Sequence, residues 1–154
     1  MPAVVRINSN TFSWASTRTK IDGELYEGVT GFSYDNKLET TYIFGQRRSG
    51  GPIAQTSGKY TPPEVKLSML AEEADALCAT MALKSGQGSY GAVEFNVLFQ
   101  AFEIGLAPMT LVVAKARIVG VSASYAEGPD GLKKDITLKP MGVVENGFTL
   151  ARKV

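Results

Sequence analysis

Histidine is absent from this chain of 154 residues, and cysteine occurs once, as Cys78. Zinc centres, haem ligation, serine triads and cysteine proteases draw on an imidazole or a second soft ligand, so their usual parts are missing. Cys78 falls on an apolar helical stripe, where a buried structural thiol is expected in place of a nucleophile. A lone cysteine forms no intramolecular disulfide, which suits a reducing compartment or an assembly that needs no staples. The tightest carboxylate group, Glu72, Glu73 and Asp75, reads as the solvated first turns of a helix, placed where negative charge suits the dipole. The glycine-rich run 85–91 lacks the Lys-Ser/Thr pair of a phosphate loop and follows a helix instead of opening one. Phe95, Phe99 and Phe102 could make a base-stacking platform, but no basic-aromatic ribonucleoprotein pattern accompanies them, and Phe95 and Phe99 read as core. The sequence therefore predicts no enzyme, no cofactor and no metal site.

Bulk properties point the same way. The 16 basic and 15 acidic residues leave a net charge of +1, without the basic excess of a nonspecific DNA binder. No apolar run is long enough to span a membrane, and residues 1–8 lack the apolar core of a signal peptide. The expectation is one domain over residues 1–154, with no membrane anchor, made in a cytoplasm.

The hydropathy pattern is mostly that of strands. Thr11–Ile21 alternates and is followed by Asp22-Gly23, a strong hairpin signal. Residues 24–34 continue as a strand broken by glycines, which implies a bulge or bend. Lys37–Phe44 and Val65–Met69 flank a long excursion. One helix is expected over 70–84: Leu70, Ala74, Leu77, Cys78 and Met81 form a single stripe, Ser68 is the candidate N-cap, and Gly86 is the stop. Strands then follow over 92–102, 110–125 and 133–141. In the second of these Val112, Ala114, Ala116 and Ile118 share one face. A turn at 127–131 and a tight turn at Asn146-Gly147 lead to a tail strand at 148–150. Strands this long exceed the usual five or six residues and suit a sheet whose outer face meets a partner.

The excursion at 45–58 holds four glycines, Pro52 and the adjacent Arg47-Arg48, so no helix or strand is expected to persist through it. A loop of that length within a compact domain is usually a lid, a binding loop or disordered. Two readings stay open: a mobile hairpin tip, or an arm that orders against another subunit.

Phe32–Glu39, then Ile43-Phe44-Gly45, Gly51-Pro52-Ile53 and Thr56-Ser57-Gly58-Lys59-Tyr60 resemble, in order, the tail-tube proteins of long-tailed bacteriophages, especially contractile-tailed ones. Asp135–Pro140 with Asn146-Gly147 is similar to that family's closing strands. The chain departs from the pattern at Ala54-Gln55, where a glycine and a basic residue are common. The resemblance implies a mainly β fold of two packed antiparallel sheets, a β-sandwich or barrel, with one α-helix and a long hairpin loop. It implies hexameric rings stacked into a tube in the virion tail, with tail sheath, baseplate and terminator proteins as partners. Genomic double-stranded DNA would pass through the lumen without specific binding during ejection. The arm residues Gln46, Arg47, Arg48, Pro52, Ile53, Thr56, Lys59 and Tyr60 are the expected inter-subunit contacts. Glu94 is the lumen candidate, on the argument that a channel passing DNA should be neutral or acidic. The alternatives are the inner-tube ring protein of a type VI secretion or related contractile injection system, and a monomeric β-sandwich module that holds a ligand with loop 45–58.

Overall fold

A computed structural model describes residues 12–103, 106–129 and 131–150. A single 3-10 turn at Trp14–Ser16 precedes β1 (Thr17–Ile21). The sequence predicted strand here, but the Thr17 hydroxyl donates to Trp14 O at 2.7 Å and Ser16 N–H to Ser13 O, a local alternative to ladder pairing. Trp14 is consequently exposed, and Thr11 lies outside the described residues. Asp22 and Gly23 take positive φ and join β1 to β2 (Glu24–Tyr26) as the two-residue turn expected.

The glycine break divides the next strand between two sheets. After Gly28, β3 (Val29–Tyr34) pairs with β8 (Val65–Leu70) and never with β1, with a register shift between Val29 and Gly31. Between them lie four two-residue strands: β4 (Leu38–Glu39), β5 (Tyr42–Ile43), β6 (Ala54–Gln55) and β7 (Lys59–Tyr60). β8 runs into α1 (Ala71–Ser85), and the half that follows holds β9 (Phe95–Ala101), β10 (Met109–Ala123), β11 (Lys133–Lys139) and β12 (Gly142–Glu145). β12 is an element the sequence pattern did not suggest, and the tail strand is only a bridge from Glu145 to Phe148.

The sheet order is β2-β1-β9-β10-β11-β8-β3, with β12 also on β10 and every pairing antiparallel. The 15-residue β10 belongs to both layers. Its first half pairs with β9 and β12, and its second half with β11. The changeover is at Lys115, a non-glycine residue at φ 51°, where the register to β9 slips between Val113 and Ala116. The Lys115 N–H, turned out of the ladder, donates to Asn96 Oδ1 at 3.0 Å. This bulge also corrects the predicted face. Leu111 and Val113 are buried before it, Ala116 and Ile118 after it, so Val112 and Ala114 do not share a face with the latter pair.

The inner faces meet in one core that includes Ile21, Val65, Leu67, Met69, Val97, Val113, Ile136 and Leu138. Phe32 of β3 stacks on Phe99 of β9 at 5.0 Å between centroids, a contact that joins the two layers across the core. α1 contributes Ala74, Leu77 and Met81 from the expected stripe, with Cys78 half-buried at its margin. Burial pushes the Cys78 thiol upward in pKa, and Asp75 adds to that. The helix ends on Gly86 in the left-handed region, as predicted. Its start differs: Ser68 stays in β8 and donates to Asp135 Oδ1 at 2.6 Å, while Leu70 occupies the cap position. Nor are its acids merely solvated. Glu73 Oε2 accepts from Gly28 N–H at 2.7 Å, and Asp75 pairs with Lys134.

Candidate functional site

The segment between β3 and β8 is a projecting two-stranded arm. At its base Leu38 pairs with Tyr60 and Glu39 with Lys59; further out Tyr42 pairs with Gln55 and Ile43 with Ala54. Strand structure thus persists into the 45–58 run, against expectation, and the irregular tip is confined to residues 44–53. β-Branched and hydroxyl residues explain the ordering. Thr41 N–H donates to Thr56 Oγ1 and Thr56 N–H to Thr41 O, both at 2.9 Å, and Gln55 Nε2 donates to Thr40 Oγ1 at 2.6 Å. Gly58, at φ 93°, is required: a Cβ there would stand 2.9 Å from Glu39 O.

At the tip, Arg47 donates from its guanidinium to Pro52 O at 3.1 Å, and its N–H closes on Gly45 O. The Ile53 side chain lies over Gly45, where a Cβ would come within 2.7 Å of it. Gln46, Arg47, Arg48, Pro52, Ile53, Thr56 and Lys59 are all exposed. Tyr60 is half-buried and holds the base to the body: its hydroxyl donates to Asn36 Oδ1 at 2.7 Å, and it lies against Val143 of β12. Burial, the main cause, raises the Tyr60 pKa.

The arm's outer half has no cover. Tyr42, Ile43, Phe44 and Ile53 are exposed at 58, 47, 66 and 51%. Ile43 and Phe44 enter the sequence reading through the strand and the family motif and Tyr42 through the strand alone, none of them as contact residues; their place in a short strand remote from any helix stripe is the signal that marks them. Among the described residues, β2 and β3 also pair on one side only. Exposed edges and four adjacent large apolar side chains are features of a surface meant to be covered.

The remaining sequence candidates are dispersed. Glu94 is exposed just before β9, where Phe95 opposes Ala116, so it stands near Arg117 and away from the arm. Cavities open beside the sheets. One of about 440 Å³ includes Trp14, Arg18, Tyr26 and Glu27 in its lining. A smaller apolar one, about 160 Å³, opens beside the Phe32–Phe99 stack between Tyr34 and Glu145. Burial and then the Glu145 carboxylate raise the Tyr34 pKa. Among the described residues no cluster of three or more His, Cys, Asp or Glu side chains could hold a metal ion, and no helix is long and apolar enough to cross a membrane.

The fold, two sheets sharing a strand with one flanking helix and a projecting hairpin, is similar to that of solved proteins from contractile injection systems. Among solved structures, the anti-feeding prophage tube-terminating cap matches with a TM-score of 0.68 at 14% identity, over 95% of each chain. The sheath/tube terminator of an extracellular contractile injection system matches at 0.66 and 14%, over 89% of this chain and 97% of that one. Hcp1 from Flavobacterium johnsoniae matches at 0.57 and 14%, over 88% and 98%. Identities this low establish a shared fold. No protein-family model and no curated protein matches the chain.

Proposed function

We propose that this chain is the subunit of the tube in a contractile tail. Copies close into hexameric rings, the rings stack, and the hollow stack conducts double-stranded DNA from a virion while a sheath, baseplate and terminator engage its outside and ends. The observation that carries this reading is the arm: an ordered hairpin whose outer half leaves Tyr42, Ile43, Phe44 and Ile53 in solvent. A subunit alone gains nothing from that exposure, whereas a neighbour that covers it gains the hydrophobic free energy of four large side chains. Gln46, Arg47, Arg48, Pro52, Thr56 and Lys59 would rim that contact, and Tyr60 would fix the arm's root. Ring closure pairs the free edges of β2 and β3. Glu94 is the candidate for the channel wall.

The likeness to Hcp1 supports a second reading, a type VI secretion or related ring with protein cargo. Negative-stain microscopy of concentrated protein tests the shared claim: rings or tubes are expected, and solitary particles at all concentrations refute it. Deleting residues 46–57 should leave a folded subunit by circular dichroism and abolish tubes; intact tubes would remove the arm from the account. Co-purification with phage particles separates the phage reading from the secretion one.

A further inference from the structure

Beside the Phe32–Phe99 stack the space between the two layers is not filled. The cavity of about 160 Å³ lies there, between β3 and the start of β10, with Phe32, Phe99, Met109 and Leu111 as its apolar walls. Phe99 and Leu111 are buried, and Phe32 and Met109 are half-buried against the same core. A void with apolar walls deprives its lining of contacts, and one of roughly 150 Å³ is large enough for a benzene ring. Aromatic neighbours are already in line: Trp14 stands 5.9 Å from Phe99, Phe99 5.0 Å from Phe32, and Phe32 6.1 Å from Tyr34. A further ring beside this row gains aromatic contacts as well as burial.

The mouth of the cavity is negative. Among the described residues Glu145 is the one charged member of the lining. Its main chain is fixed by paired bonds with Phe148 across the Asn146-Gly147 turn, and its carboxylate accepts from the Tyr34 hydroxyl. Burial and then that bond raise the Tyr34 pKa, so the hydroxyl stays a neutral donor. The Thr110 N–H and carbonyl oxygen are both taken by Asn146, through its Oδ1 at 2.8 Å and its N–H at 2.7 Å. The ion pairs among the described residues leave Glu145 without a cation, and a carboxylate that accepts from one hydroxyl has acceptor capacity to spare.

We propose that this cavity binds a small aromatic ammonium compound, its ring among Phe32, Phe99 and Met109 and its ammonium group on the Glu145 carboxylate. The size of the void admits one ring, and the charge at its mouth selects the cation over a neutral or anionic ring of the same shape. All of these residues belong to one subunit, so the site stands whether or not copies assemble. Because β3 leads into the arm and β12 carries Val143 against Tyr60, an occupant would also tie the arm's root to the body.

Benzylammonium is the probe, with benzyl alcohol and benzoate as the neutral and anionic rings, added to the full chain and followed by NMR. Saturable binding is expected, about tenfold tighter for benzylammonium than for the alcohol, with benzoate excluded and the Met109 methyl signal shifting on saturation. Glu145 is exposed, so E145Q should fold and should bring benzylammonium to the affinity of the alcohol. M109W, which fills the void, should abolish binding of both, and M109F replaces it if the tryptophan variant does not fold. The site is overturned if benzylammonium fails to saturate in the millimolar range, if the Met109 signal does not move, or if a folded filling variant binds like the parent. Equal affinity for all three rings, or an unchanged preference in E145Q, overturns the ammonium assignment.

Discussion

Substitution at Lys115 tests the changeover in β10 most directly. A side chain in the left-handed region costs about 1 kcal/mol relative to ordinary strand geometry. Lys115→Gly removes that conflict but frees the unfolded chain, so a net stabilisation of about 0.5 kcal/mol is expected. Lys115→Val forces a β-branched residue into the same conformation and should cost about 1–2 kcal/mol. Asn96→Ala removes the acceptor of the Lys115 N–H; the site is exposed and water can substitute, so about 1 kcal/mol is lost. For a domain of this size 1 kcal/mol moves the melting temperature by about 2–4 °C. Thermal unfolding followed by circular dichroism should order the variants Gly, then Lys, then Val, with Asn96→Ala below the parent. Equal melting of the Lys115→Val variant and the parent would refute the bulge, because a regular strand accepts valine readily.

Further perturbations probe the helix and its joints. Leu77 is fully buried, so Leu77→Ala should cost about 3 kcal/mol in urea unfolding and Leu77→Asp should prevent folding; a soluble, parent-like Asp variant would misplace the helix face. Gly28→Ala puts a Cβ 2.7 Å from the Glu73 carboxyl carbon, breaking that carboxylate's bond to the Gly28 N–H, at about 1–2 kcal/mol by the same assay. Because the Cys78 pKa is raised on folding, its contribution to stability is full below the unfolded thiol's pKa and is lost as pH rises through the folded one. The melting temperature of the parent should therefore fall more steeply above pH 8.5, roughly the free thiol's value, than that of Cys78→Ala.

Much of this architecture is legible in residue order, because its cues are local. Asp22-Gly23, Asn146-Gly147 and Gly86 take the conformations their chemistry favours, and the Leu77 stripe buries as its period dictates. The failures arise where a distant partner decides. The Trp14 segment alternates like a strand, yet a hydroxyl three residues away captures its backbone. Val112 and Ala114 keep perfect alternation with Ala116, but Asn96, on another strand, holds the bulge that reverses their facing. Glu73 resembles any solvated helix acid until Gly28 is brought against it. For the arm, the glycines and Pro52 marked the tip, while the ladder through Thr40, Thr41 and Thr56 is cross-strand and invisible to periodicity.

The strand common to both layers governs when the subunit can exist at all. During synthesis β1, β3, β8 and α1 leave the ribosome first; β3 finds β8 early, but β1 waits for β9 and β8 for β11, and β9 and β11 alike depend on β10. Neither layer can close before most of the chain has emerged, so the nascent polypeptide has no stable half to fall back on. Folding should be slow and late, as long-range pairing requires, and release of a finished subunit all-or-none. A particle built from such parts draws on complete pieces or none.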